Sequence, residues 1–195
     1  MAEAVSVRKD QIHRVAMRLF RERGFHGTSV RDIADAVGIQ GGSLYAHVES
    51  KDDLLWAIVN ESAERFFAAL RPLVESDRQI MRKLREAIVA HVGVIADDLN
   101  AAAVYTTEWR HLAPERRAAF VARRDEYEKL FQTMVRQAIR EGRLAPVDES
   151  YAALFILSTL NYVYLWYRPG GRMTSDEVAG MMADFVLDGL RRRTT

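Results

Sequence analysis

Apolar residues in this chain recur at intervals of three and four, and few segments alternate with period two. That spacing gathers apolar side chains on single faces of helices, so the pattern predicts an all-α fold. The first stripe is Ile12, Val15, Ala16, Leu19 and Phe20, on a helix from about Val7 to Arg23 that Gly24 stops. Thr28 is placed to cap a short helix through Ile33, Ala34 and Val37, which Gly38 ends. A second short helix covers about Gly42 to His47. Ser50 caps the next one, Asp52 and Asp53 suit its positive end, and Pro72 is expected to stop it. Five more helices are expected at roughly 77–99, 101–112, 114–141, 149–167 and 175–192, about nine in all. Pro114 takes a favoured first position and Thr174-x-x-Glu177 forms a capping box. The core face of the last helix reads Val178, Met181, Met182, Phe185 and Val186.

The 195 residues are 49% hydrophobic and 28% charged, a composition that folds rather than staying disordered. With no cysteine, thiol nucleophiles, disulfides and Cys-type metal sites are excluded. A net charge of +1 gives no global positive field, so nucleic-acid binding has to come from a local patch. The first residues lack a basic segment followed by an apolar one, so no signal peptide is expected, and the cysteine count fits the cytoplasm. Tyr151 to Tyr167 carries no charge, but Ser158, Thr159 and Asn161 interrupt it. It is expected to be a buried bundle helix or a dimer interface, with no membrane partner.

Residues 28–51 carry the most information. Two short helices meet at Gly38, and Ala34, Val37, Ile39 and Leu44 can form the small core between them. That is a helix-turn-helix, whose second helix enters the major groove of DNA. Gln40-Gly41-Gly42-Ser43 are short residues that let the backbone approach DNA, and Tyr45 and His47 give longer polar reach. The spaced elements Thr28-Ser29, Asp32-Ile33-Ala34, Ala36-Val37-Gly38-Ile39, Gly42-Ser43-Leu44-Tyr45 and Ser50-Lys51-Asp52-Asp53-Leu54 resemble the tetracycline-repressor (TetR) family, and Phe20, Gly24 and Phe25 match upstream. Gly41 stands where that family often has a basic or bulky residue, and Ala46, Val48 and Glu49 also depart from its pattern.

The resemblance implies a three-helix DNA-binding domain over 1–53 and a larger helical ligand-binding and dimerisation domain over 54–195. It implies a homodimeric repressor on a roughly palindromic double-stranded operator, released by a small-molecule effector. Its DNA-contacting set here is Thr28, Ser29, Tyr45 and Lys51, the last three on phosphates, with Gln40, Gly42, Ser43 and His47 toward base edges. Residues read alone allow Thr28 to be only a cap and Tyr45 to pack as much as bind.

The stretch Asn161-Tyr162 through Trp166-Tyr167-Arg168-Pro169-Gly170-Gly171-Arg172 resembles a TetR subgroup that represses fatty-acid, phenylacetate or steroid degradation genes and responds to acyl-CoA thioesters. An acyl chain needs apolar walls, for which Phe66, Phe67, Leu70, Trp109 and Phe131 have the bulk. Arg123, Arg124, Arg168 and Arg172 suit the phosphates, and Tyr162 or Trp166 suits the adenine. Equally, Trp166-Tyr167 suits a dimer core and Arg-Pro-Gly-Gly a helix stop. An alternative sensor of lipophilic or cationic compounds would use Glu108 beside Trp109 as its acid. A remoter alternative is an all-helical enzyme using His91 with Asp97 or Asp98, or His111 with Glu108. A metal site needs three convergent groups, and no such set is visible. A non-enzymatic regulator without cofactor or metal is therefore expected.

Overall fold

The computed structural model describes the backbone of residues 2–46 and 48–191, with side chains from residue 8 onward. The described elements are helical: α1 (Ala2–Arg23), α2 (Val30–Val37), α3 (Gly41–Leu44), α4 (Lys51–Val74), α5 (Ile80–Asp97), α6 (Leu99–Thr107), a 3-10 turn (Glu108–His111), α7 (Pro114–Arg140), α8 (Glu149–Asn161), α9 (Val163–Trp166) and α10 (Ser175–Leu190). Extended pairing is confined, among the described residues, to an isolated bridge between Leu144 and Arg191. The all-α expectation holds.

Two details of the expected elements are corrected. The stretch expected as a helix over 149–167 is not one helix. Tyr162 leaves helical geometry at φ −90° and ψ 2°, and the chain restarts as α9. Pro72 does not stop α4, which continues through Leu73 and Val74. A proline this close to a helix end removes a single backbone bond. The true closure is a cation: Lys83 Nζ, largely buried, donates to the Val74 carbonyl at 2.9 Å, where the helix dipole is negative.

The helices form two compact units. The first takes Met1–Ser62 and Asn100–Val121, and the second Ala63–Leu99 and Ala122–Thr195. The first unit thus includes α6 and the start of α7 as well as the segment expected to be the DNA-binding domain. Its buried residues include Ile12, Ala16, Leu19, Phe20, Ile33, Leu44, Leu55, Leu112 and Phe120. Here α1 packs on α2, and α2 on α3.

In the second unit α5 packs against α8, α9 and α10. Ala179 and Ala183, buried one turn apart, let α10 lie close to its neighbour. The buried face of α10 is Val178, Ala179, Met182, Ala183 and Leu187. The expected core face is therefore partly wrong: Met181 is 51% and Phe185 78% exposed. Apolar residues lie on more than one face of α10, and the close contact with α5 takes the face that carries alanine.

The same unit buries a polar group. His91 Nδ1 lies 3.0 Å from the Tyr127 hydroxyl and Nε2 lies 3.3 Å from Asn161 Oδ1. With the amide oxygen facing it, Nε2 carries the hydrogen and Nδ1 accepts from Tyr127. Phe66 stacks on the imidazole at 4.7 Å, and Phe131 meets it edge-on. Burial drives the His91 pKa down to about 4, against a smaller raising effect of the Asn161 bond. An unfolded chain protonates this histidine near its ordinary value of 6.5. The unfolded state therefore binds the extra proton between those two values, and stability is lost as pH falls through that window. The expected loss from this residue is at most ~3 kcal/mol between pH 7 and pH 4. Urea titrations across that range check it. His91→Gln should flatten this part of the dependence, and an equally steep fall in the variant would contradict the assignment.

Candidate nucleic-acid interface

The motif begins where α1 ends. Gly24 takes the left-handed conformation at φ 74° and its N–H donates to the Phe20 carbonyl. Thr28 is completely buried, and its hydroxyl is directed at the carbonyls of Leu19 and Gly24, at 3.2 and 3.0 Å. It therefore does not cap α2. Ser29 does: its hydroxyl accepts the Asp32 N–H while the Asp32 carboxylate accepts the Ser29 N–H at 2.7 Å, a reciprocal capping box. The Ser29 hydroxyl and amide hold the Asp32 carboxyl below its ordinary range. At the other end Gly38 sits at φ 75°, and its N–H reaches the carbonyls of Ala34 and Asp35. This left-handed residue turns the chain sharply enough to bring Leu44 onto the motif's own core.

The second helix, α3, is a single turn. Gln40 is its N-cap residue, and Gln40, Gly42, Ser43 and Tyr45 are exposed while Leu44 is buried. Gln40, Gly42 and Ser43, three of the four residues expected to face bases, are thus exposed in one stretch. His47 lies outside the described residues. Among the described residues nothing lies within 4 Å of where a Cβ would stand on Gly41 or Gly42, and neither has positive φ. No packing or backbone requirement among those residues asks for glycine at either place.

Lys51 has an internal role. Its Nζ donates at 2.8 Å to the carbonyls of both Phe25 and Thr28, and it lies 4.2 Å from the centre of the Phe25 ring. Desolvation lowers its pKa. Two of its three N–H groups are thereby engaged within the protein. Ser50 caps α4 as expected, accepting the Asp53 N–H at 3.0 Å. Hydrogen bonds from Ser50 and then Arg116 lower the Asp53 pKa.

The proposed effector residues separate into groups. Phe66, Phe67, Leu70 and Phe131 are buried, and the rings of Phe66, Phe67, His91, Tyr127 and Phe131 form one contacting layer. Arg123 lies 5.5 Å from the Phe67 ring centre and pairs with Glu64 at 2.6 Å. Arg124 is half-buried. Trp109 belongs to the first unit, where it packs on Phe120. Tyr162 and Trp166 are exposed, as are Arg168 and Arg172. Arg168 Nη1 donates to the carbonyls of Leu165 and Tyr167, bracing the turn that follows α9. In that turn a Cβ on Gly171 would meet the Arg168 carbonyl oxygen at 2.9 Å.

Of the alternative acid sites, His111 and Glu108 do meet, with Nε2 3.9 Å from Oε2. Glu108 also accepts the Phe25 N–H at 2.7 Å, which ties its carboxylate to a backbone amide. His91 faces Tyr127 and Asn161 rather than Asp97 or Asp98. Among the described residues no group of three or more His, Asp or Glu side chains is arranged to hold a metal ion. No single described helix is long and apolar enough to cross a membrane.

Two short helices joined through a left-handed glycine, with a buried joint and an exposed polar second helix, define a helix-turn-helix DNA-binding regulator. Residues 12–58 match the family model for bacterial regulatory proteins of the tetR family, and residues 77–190 match the tetracyclin repressor-like C-terminal domain. The chain belongs to the TetR family, and it is a ligand-responsive transcriptional repressor. It is 33% identical over 187 residues to the HTH-type transcriptional repressor KstR2 of Rhodococcus jostii (strain RHA1), covering 95% of this chain and 92% of the relative. The structure of the ketosteroid transcriptional regulator KstR2 of Mycobacterium tuberculosis superposes with a TM-score of 0.89 at 30% identity, over 95% and 96% of the two chains. AibR, in complex with isovaleryl coenzyme A and operator DNA, gives a TM-score of 0.81 at 28% identity, over 91% and 97%.

The open space around Gly42 gives this interface a test. Alanine there should raise stability by up to ~1 kcal/mol, because glycine is the poorer helix former and nothing obstructs a methyl group. If the bare backbone is kept for close approach to DNA, the same Gly42→Ala change should weaken operator binding. Thermal denaturation and a binding titration check the two opposite signs. A variant that binds at least as well as the parent would contradict the role of Gly42.

Proposed function

We propose that this repressor binds a roughly palindromic operator as a homodimer in the cytoplasm and is released by an acyl-CoA thioester. In this reading residues 1–53 read DNA and 54–195 sense the effector and pair the subunits. Half-sites then lie about one helical turn apart, roughly 34–36 Å, or a multiple of that. Gln40, Gly42, Ser43 and His47 face base edges. Ser29, Tyr45 and Lys51 meet phosphates, while Thr28 contributes by fixing the turn beside them.

Pairing is supported by a run of uncovered apolar residues on the second unit. Tyr151, Leu154, Phe155, Leu165, Trp166, Met181 and Phe185 are all exposed on α8, α9 and α10. Surface of that kind favours a two-fold, self-complementary contact. Tyr162, Arg168 and Arg172 are exposed in the same stretch of chain as Leu165 and Trp166.

The observation that carries the effector reading is the layer of Phe66, Phe67 and Phe131, apolar enough for an acyl group, with Arg123 against Phe67 as a cation for CoA phosphate. The AibR complex with isovaleryl coenzyme A supplies a relative with a ligand of that chemistry. The effector acts by favouring the dimer arrangement that does not fit DNA.

An electrophoretic mobility shift on the DNA upstream of its own gene, or on an operator enriched from a random duplex pool, tests this. Long-chain and short aromatic acyl-CoA and free CoA are added in turn. Release by an acyl-CoA and not by free CoA is expected. Specific binding indifferent to every CoA would overturn the effector reading and leave the repressor standing.

A further inference from the structure

Glu108 and Arg116 lie outside the helix-turn-helix, yet their side chains fasten it. The Glu108 carboxylate is only 13% exposed. It accepts the Phe25 N–H at 2.7 Å and the Thr107 hydroxyl at 2.9 Å. Phe25 follows the left-handed Gly24, and its amide opens the turn whose carbonyls, at Phe25 and Thr28, Lys51 holds. The His111 ring stacks on Phe25 with centroids 5.9 Å apart, adding a ring contact from the same 3-10 turn.

Arg116 makes the second attachment. Its guanidinium reaches Asp52 Oδ2 at 2.6 Å and also pairs with Asp53, the two residues that follow Lys51 on α4. The Ala113 N–H donates to Asp52 at 3.0 Å. Residues 108–116 therefore hold both the amide that begins the turn and the helix whose lysine holds its carbonyls. All these residues belong to the first compact unit.

We propose that Glu108 and Arg116 are positioning residues for operator reading. Base-edge recognition depends on where α3 stands in the groove, whereas non-specific phosphate attraction tolerates displacement. Glu108 acts through the turn, because a carboxylate facing phosphate would be repelled. Its loss leaves the α2–α3 core intact and frees the motif to shift against the segment that braces it. The proposal rests on the operator-binding reading, and the test separates the two.

The test uses an operator enriched from a random duplex pool by the unmodified protein, and an unrelated duplex of equal length at equal salt. Glu108→Ala and Arg116→Ala should each lose ~10-fold in operator affinity, about 1.4 kcal/mol, with the unrelated duplex hardly affected. Glu108→Gln keeps an acceptor oxygen for the Phe25 amide and should stay within about threefold of the parent. Rescue by glutamine is a readout that loss of charge or general destabilisation would not give. If Glu108→Ala does not fold, Arg116→Lys, which keeps the charge but not the fork to two carboxylates, provides the comparison. Folded variants that keep full operator affinity, or lose equally on both duplexes, would overturn the proposal. An unmodified protein that enriches no sequence would overturn the operator reading and the proposal with it.

Discussion

A lysine ammonium seated against two backbone carbonyls organises the DNA-reading end of this protein. Lys51 closes the turn between α1 and α2 by taking the oxygens of Phe25 and Thr28, groups that a turn of this kind leaves without helical partners. The charge is drawn from water, as its lowered pKa records. Asp52 and Asp53 beside it give that helix start its own negative partners and are in turn bound by Arg116. From the other side the Thr28 hydroxyl is directed at the carbonyls of Leu19 and Gly24, and Glu108 takes the Phe25 amide. A turn of four residues is thereby held by side chains from α4 and from the 3-10 turn as well as by its own threonine. Charge-assisted bonds in partly buried settings are the stronger kind, so the geometry of α2 and α3 is anchored by more than their small apolar core.

The second unit is organised by burial instead. Its aromatic layer surrounds one satisfied imidazole, and its helices approach through alanines. What it leaves exposed is as informative. Phe185 and Met181 stand on the outer side of the same helix whose inner side carries Ala179 and Ala183. A monomer gains nothing by showing those large side chains to water, and a second subunit is the partner that the proposed repressor would supply.

Local signals were legible in the residue order. Glycines 24 and 38, the Ser50 cap and the Thr174–Glu177 box act within a few residues of themselves, and each stands where expected. The helix-turn-helix was legible for the same reason. Three features were not. Thr28 and Ser29 are both competent caps, and only the closeness of the α1 carbonyls decides which hydroxyl is already engaged. A helix with apolar residues on two faces, such as α10, does not declare which face meets its own chain. The bonds from Glu108 to Phe25 and from Arg116 to Asp52 span 83 and 64 positions, beyond the reach of any periodicity. By the same long-range packing, residues 100–121 fall in the same compact unit as residues 1–62.

The braced turn holds the reading helices in place, and the exchange rate of a single amide tests that most directly. Hydrogen exchange of the Phe25 N–H in the free protein should be slow, with protection comparable to the α2 amides of Ala34 and Val37, because the Glu108 carboxylate occupies it. Glu108→Ala should release that protection while leaving α2 protected. Exchange at Phe25 as fast as at an exposed loop in the unmodified protein would contradict the account.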